Sequence, residues 1–277
     1  MDSHVHLDYF PEERRGEIIA RAWRAGLQVL VTIAVTLGSA GVLSELAKRF
    51  LGRIFYSVGV HPTELGATAV ENLGSALESV LGSASPAAIA VGEMGLDYAS
   101  LPKDAAEARK IVAAQRVAFR EQAAAAKNAH LPLVIHCRDV EGQRTAWEDT
   151  NGILDGLSFD RSRALMHCFS YGSKELCHWQ GRGGCVSFSG ILTRKKAVGV
   201  HGALLAADLS RVLFETDAPF LLPEPLRTES PRAENEPANA ILVSDFAANL
   251  LERSGREMAE LGLANGLRFF SVEMPPC

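Results

Sequence analysis

The stretch AAIAVGEMGLDYASLPKDAAEARKIVAAQRVAFREQAAAAKNAHLPLVIH, residues 87–136, decides how this chain folds. It opens on AAIAVGE and closes on LPLVIH, two short runs rich in Val, Ile and Leu. Each is too short for a helix and apolar nearly throughout, as strands buried on both faces are. Between them, residues 105–129 are filled with Ala, Gln, Arg and Glu, which favour helix. Strand, helix, strand is the unit of a parallel sheet.

The same rhythm extends in both directions. Upstream lie residues 1–6, then QVLVTIAV from Gln28 and IFYSVGV from Ile54. Downstream lie RALMHCF from Arg163, GCVSFS from Gly184 and RVLFETD from Arg211. Eight strands alternating with eight helical segments predict an α/β fold, a closed (β/α)8 TIM barrel rather than an open doubly wound sheet. No repeat, low-complexity tract or linker divides the chain, so residues 1–277 are expected to form one domain. Residues 223–237, rich in Pro, Glu and Arg, read as a long loop after the last strand.

Composition narrows the class. The chain is 47% hydrophobic and 22% charged, enough for a sizeable core, and carries a net charge of -5. No basic tail or basic helix stands out, so the footprint of an avid nucleic-acid binder is missing. Any attraction of nucleic acid would have to come from local cations such as bound metal. Five cysteines (Cys137, Cys168, Cys177, Cys185 and Cys277) make an odd set with no C-x-x-C pair, which fits a reducing cytoplasm better than a disulfide framework. Neither a signal peptide nor a membrane span is legible.

Metal-ligand residue types cluster at the C-terminal ends of the runs. His4 and His6 end the first, Glu93 the fourth, His136 the fifth, His167 the sixth and Asp217 the eighth, while His61 follows the third. In a barrel these ends open on one face, where active sites are assembled. Residues i and i+2 of a strand point the same way, so His4 and His6 can reach one ion. A lone histidine at a strand end is more often structural than a ligand, and Asp217 alone would read as a cap. The joint pattern resists that reading. Four histidines and two carboxylates exceed the needs of one tetrahedral ion and favour two divalent metals sharing a carboxylate, with Mg, Mn, Zn and Co all compatible.

The blocks DSHVHLD, GVHP, VGEMGLDY, PLVIHCRD, MHCFS, SFSGILT and ETDAPFLLP together resemble the TatD-type metal-dependent deoxyribonucleases of the amidohydrolase superfamily, in order and over nearly the whole chain. The resemblance implies that His4, His6 and Asp217 bind one metal, Glu93 bridges, and His136 and His167 bind the second. It makes Asp217 and Glu93 the catalytic carboxylates, with Asp217 taking the proton of a water. It places His61 and Arg138 against the substrate phosphate. The activity it implies is hydrolysis of DNA, single-stranded or at frayed ends, from the 3′ end. A small-molecule amidohydrolase, cutting a cyclic amide or ester, would use nearly the same ligands, and a non-catalytic scaffold would be expected to have lost one.

Three departures from the family pattern stand out. Asp2 follows Met1 directly, without the usual apolar residues, so the first strand is expected to be short, barrel closure weak and His4 and His6 near a mobile terminus. The path from ETDAPFLLP to Asn235-Glu236-Pro237 is longer than usual, and Tyr171 stands where a glycine is expected. Among other residues, Cys137 and Cys168 alternate away from the ligands and read as core thiols. His130, His178 and His201 read as surface residues, and Trp23, Trp147 and Trp179 as packing. Arg194, Lys195 and Lys196 read as a solvated face or a small phosphate patch. No row of aromatics for stacking bases is evident.

Overall fold

Each of the eight apolar runs forms a strand: β1 (Asp2–Val5), β2 (Leu30–Thr32), β3 (Ile54–Val58), β4 (Ala88–Asp97), β5 (Leu133–Arg138), β6 (Ala164–Met166), β7 (Cys185–Phe188) and β8 (Val212–Phe214). The computed structural model describes residues 1–65 and 72–274, so Cys277 lies outside the described residues. All neighbouring pairs are parallel and follow chain order from β1 to β8. Helices α1 (Glu12–Arg24), α2 (Ser39–Arg49), α3 (Leu73–Ser83), α4 (Ala105–Asn128), α5 (Thr145–Gly156), α6 (Ser173–Gly181) and α7 (Val198–Leu205) lie between successive strands. Beyond β8 come α8 (Leu226–Glu229), α9 (Ala240–Leu250) and α10 (Gly255–Phe270). The expected long loop over residues 223–237 therefore contains the short α8. Among the described residues no helix is long and apolar enough to cross a membrane.

The start of the chain is anchored, contrary to the expectation of a weakly held terminus. Asp2, Ser3, His4 and Val5 are fully buried. The seam between β1 and the end of β8 is closed by backbone bonds from Asp217 N to His4 O at 2.9 Å and from His6 N to Ala218 O at 2.8 Å. Side chains add to it. Ser3 Oγ donates to the Phe214 carbonyl at 3.1 Å, and the Asp2 carboxylate accepts from Thr216 N at 3.0 Å and Thr216 Oγ1 at 2.5 Å. A short strand suffices because polar side chains complete the ladder that the backbone leaves open.

Two strands that carry ligand-type residues are irregular. Against β2, three residues of β1 span what two span opposite, with Asp2 facing Leu30 and Val5 facing Thr32. Against β5, the same occurs in β4 between Val91 and Met94, and Glu93 sits inside that bulge. A bulge turns a side chain away from strict alternation, which here brings Glu93 toward the barrel axis. Its amide is fixed to Ala34 O at 2.8 Å. Two residues on, Gly95 has a φ of +139°, a region where a side chain is strained, and a Cβ added there would overlap the His136 carbonyl oxygen.

Helix α4 fastens the mouth of the barrel. Asp104 caps it by accepting from Ala106 N at 3.0 Å and Glu107 N at 2.8 Å, an arrangement that contributes about 1 kcal/mol. Its inner face buries Ala118, Phe119 and Ala123 but also Gln115 and Gln122. Gln122 accepts from Val60 N at 2.8 Å and donates to Val60 O at 3.0 Å, fixing the residue next to His61. Gln115 accepts from Asp97 N at 3.0 Å. Buried amides of this kind lock loops because an unmade bond there is costly.

Candidate metal centre

The structure brings His4, His6, His61, Glu93, His136, His167 and Asp217 to the C-terminal end of the barrel. Their side chains pack around the floor of a cavity of about 400 Å³ that Arg138 also lines. Glu93, nearly buried, divides the residues between its two oxygens. Oε2 lies 3.2 Å from His4 Nε2 and 3.7 Å from His6 Nε2. Oε1 lies 2.9 Å from His136 Nδ1, 2.7 Å from His167 Nε2 and 3.4 Å from His61 Nε2.

The first group has the spacing of donors around a cation. His4 and His6 Nε2 are 3.3 Å apart, and Asp217 Oδ1 lies 3.6 Å from one and 3.2 Å from the other. Four donors set tetrahedrally about 2.1 Å from an ion would be about 3.4 Å apart. The second group is tighter around Glu93 Oε1, with His136 Nδ1 and His167 Nε2 separated by 3.3 Å. Imidazoles and carboxylates gathered with so few other partners suit a divalent cation.

Hydrogen bonds settle which nitrogen faces inward. His6 Nδ1 lies 3.2 Å from the Ile33 carbonyl, which can only accept, so Nδ1 carries the proton and Nε2 offers a lone pair. His61 is the reverse. Its Nδ1 accepts from Thr63 N at 3.2 Å, which leaves Nε2 as an N–H donor aimed at the cavity. That suits an anionic oxygen better than a metal. Behind the other two histidines stand carboxylates that the sequence did not single out. Asp97 Oδ2 is 3.4 Å from His136 Nε2, and Glu215 Oε1 is 3.4 Å from His167 Nδ1. Glu215 is itself held by Cys168 N at 2.7 Å and by Ser187 Oγ.

Charge is shared across the cluster. Burial pushes the Glu93 carboxyl up, but His167, His61 and His4 together hold it well below the usual range. Burial pushes His167 down, and Glu93 with Glu215 reverses this to hold it well above. Burial and the neighbouring His167 keep His4 low, so its neutral form is favoured. Asp217, tied to His6, His4 and His167, is held below the carboxylate range against its burial. Its carboxylate remains 14% exposed and so faces the cavity.

Arg138 stands at the rim, 62% exposed and 3.9 Å from Asp97 Oδ2. Arg194 also lines the cavity, while Lys195 and Lys196 point to solvent, so the expected patch reduces to one arginine. His130 and His178 are exposed, but His201 is half-buried and donates to Leu192 O at 2.8 Å. Trp147 and Trp179 are buried, and Trp23 lies under Arg53, 3.8 Å from its ring centre. Cys168 is not a core thiol in full, since it is half-buried and lines the cavity.

Tyr171, in place of the expected glycine, is buried and donates to Asp139 Oδ2 at 2.7 Å. Asp139 in turn accepts from Ala146 N at 2.7 Å and Trp147 N at 3.1 Å at the start of α5. The same phenol touches Cys137 Sγ at 3.2 Å, and burial pushes that thiol up to about 12. Cys137 is therefore expected to resist alkylation in the native protein at pH 8, whereas exposed Cys177 reacts at once. Peptide mapping by mass spectrometry checks this, and rapid labelling of Cys137 would contradict the placement.

The chain is 30% identical to the uncharacterized metal-dependent hydrolase YabD of Bacillus subtilis (strain 168), over 98% of each. It is 30% identical to the 3′-5′ ssDNA/RNA exonuclease TatD of Cronobacter sakazakii (strain ATCC BAA-894), over 80% of this chain and 79% of that one. Its fold resembles the solved structure of YJJV, a TatD homologue from Escherichia coli K12, with a TM-score of 0.83 at 22% identity over 98% of each chain. The family model for TatD related DNase matches residues 1–271, and the chain belongs to that family.

Proposed function

We propose that this chain is a metal-dependent phosphodiesterase that releases nucleotides from single-stranded or frayed DNA, working from the 3′ end. The observation that carries the reading is the division of Glu93 between two sets of donors. His4, His6 and Asp217 would hold one divalent cation and His136 and His167 a second, with Glu93 shared by both sets. Bound there, such cations lower the pKa of water and neutralise charge on a phosphate. The relative of Cronobacter sakazakii named as a 3′-5′ exonuclease supports the substrate class and polarity.

The residues of this chain then take distinct parts. Asp217 presents one oxygen to His6 and its exposed edge to the cavity, so it accepts the proton of the attacking water. His61 donates from Nε2 to a phosphate oxygen. Arg138 reaches the same phosphate from the rim, where its planar guanidinium offers paired donors to the phosphate oxygens. Each donor contributes about 2–4 kcal/mol where charge builds in the transition state. Local cations at the site would let a chain of net charge -5 attract an anionic polymer.

The test is nucleotide release from 3′- and 5′-labelled single-stranded DNA with added Mg or Mn. Release that starts at the 3′ end and stops with EDTA is the expected result. No release from either end by folded, metal-loaded protein would reject the nuclease reading and turn attention to small cyclic amides or esters.

A further inference from the structure

Exposed apolar side chains that adjoin one another at a cavity rimmed by polar residues mark a surface for a ligand, whereas singly scattered ones do not. The described residues expose eight large hydrophobic side chains, and the two aromatic ones are Tyr9 at 44% and Phe220 at 48%. Both line the cavity. They come from opposite ends of the chain, Tyr9 just after β1 and Phe220 just after β8. Their rings meet edge to face, with centres 5.7 Å apart and planes at 88°. Each also touches the His6 ring, at 5.3 Å from Tyr9 and 6.0 Å from Phe220. The aromatic corner thus stands beside His6 in a cavity that Arg138 and His61 also line.

We propose that Tyr9 and Phe220 form a stacking corner for a nucleobase of the substrate, adjoining the nucleotide whose phosphate is cut. The inference rests on the phosphodiester reading of the same site. A base can lie on the face of one ring while its edge meets the other, and every base offers a face. The corner thus holds any base and selects against a paired one, since a base pair must open before its base can turn into the cavity. It answers the sequence, where no run of aromatics marks a base-binding surface. Tyr9 and Phe220 are 211 positions apart, and only barrel closure brings them together.

The experiment compares two single-stranded oligonucleotides, one normal and one with abasic residues at both termini, in manganese. The enzymes are the wild type and the variants Tyr9→Ala, Phe220→Ala and Phe220→Leu. For the wild type, KM is expected to be about tenfold lower on the normal strand than on the abasic one. The alanine variants should raise KM about tenfold on the normal strand, with kcat moving far less, and add nothing on the abasic strand. Phe220→Leu keeps apolar bulk but loses the ring, and should follow Phe220→Ala. Manganese content per chain, measured alongside, should match the wild type, which separates a lost stacking surface from a damaged metal centre. Equal KM values for both strands in the wild type, or variants indistinguishable from it on the normal strand, would overturn the corner alone. Failure to cut either strand would overturn the nuclease reading, and the corner with it.

Discussion

Glu93→Gln is expected to lower metal-dependent turnover at least about a hundredfold while the barrel stays folded. The substitution preserves volume, so packing around β4 changes little. What changes is charge and donor character. Two carboxylate oxygens facing five imidazole nitrogens become one acceptor and one N–H2 group. The amide donor then points at a nitrogen that a cation would otherwise share with it, and both donor groups lose their common member. Asp217→Asn should give a loss of similar size, acting on the His4 and His6 group alone and removing the proposed proton acceptor. Three measurements check the pair: turnover in excess metal, bound metal per chain, and the far-UV circular dichroism melt. Near-normal turnover in either variant at saturating metal would remove that residue from the assignment.

Gly95→Ala is expected to damage the protein more deeply, because the conflict lies in the backbone. At a φ of +139° an alanine is strained by about 1–3 kcal/mol. Its methyl carbon would also overlap the carbonyl oxygen of His136, which cannot swing aside as a flexible side chain would. Relief requires β4 and β5 to separate at the point where one carries Glu93 and the other His136. A cost on the order of 4 kcal/mol or more is a large part of the net stability of a typical domain. The melting temperature should fall by about 10 °C or more, or folded protein should fail to accumulate. Gly152→Ala is the matched control. It lies within α5 with nothing close to an added methyl, and should stabilise by about 0.5–1 kcal/mol. A Gly95→Ala protein that melts with the wild type would show that the strands have more room than the structure gives them.

The barrel and the seven converging residues were legible because each depends on local pattern. Apolar runs of strand length mark β1 to β8, and ligand-type residues sit where those runs stop. Their convergence then follows from the geometry of any closed parallel barrel. What escaped depends on angles between strands far apart in sequence. Asp97 and Glu215 stand behind His136 and His167 only because neighbouring strands are staggered to place them there. Gln115 and Gln122 read as ordinary helix formers, yet they face inward and grip the last residue of β4 and the loop after β3. Their spacing of seven residues on one helix face was the available clue. Tyr171 departs from the family pattern, but nothing in the sequence tells that its hydroxyl would hold Asp139 at the head of α5.

The seam between β1 and the end of β8 also sets the order in which the molecule can be completed. The bonds from Ser3 to Phe214 and from Asp2 to Thr216 span separations of 211 and 214 residues. On a ribosome adding about 5–20 residues per second, the first strand waits on the order of 10–40 s for its partner to be made. During that interval His4 and His6 exist without Asp217, and β1 has only β2 to pair with. Such distant contacts also slow refolding, since the loop they close must be ordered before they form. In refolding experiments the late phase should therefore coincide with the gain of tight metal binding, because closing the seam is what brings Asp217 to His4 and His6, the proposed donors to one cation.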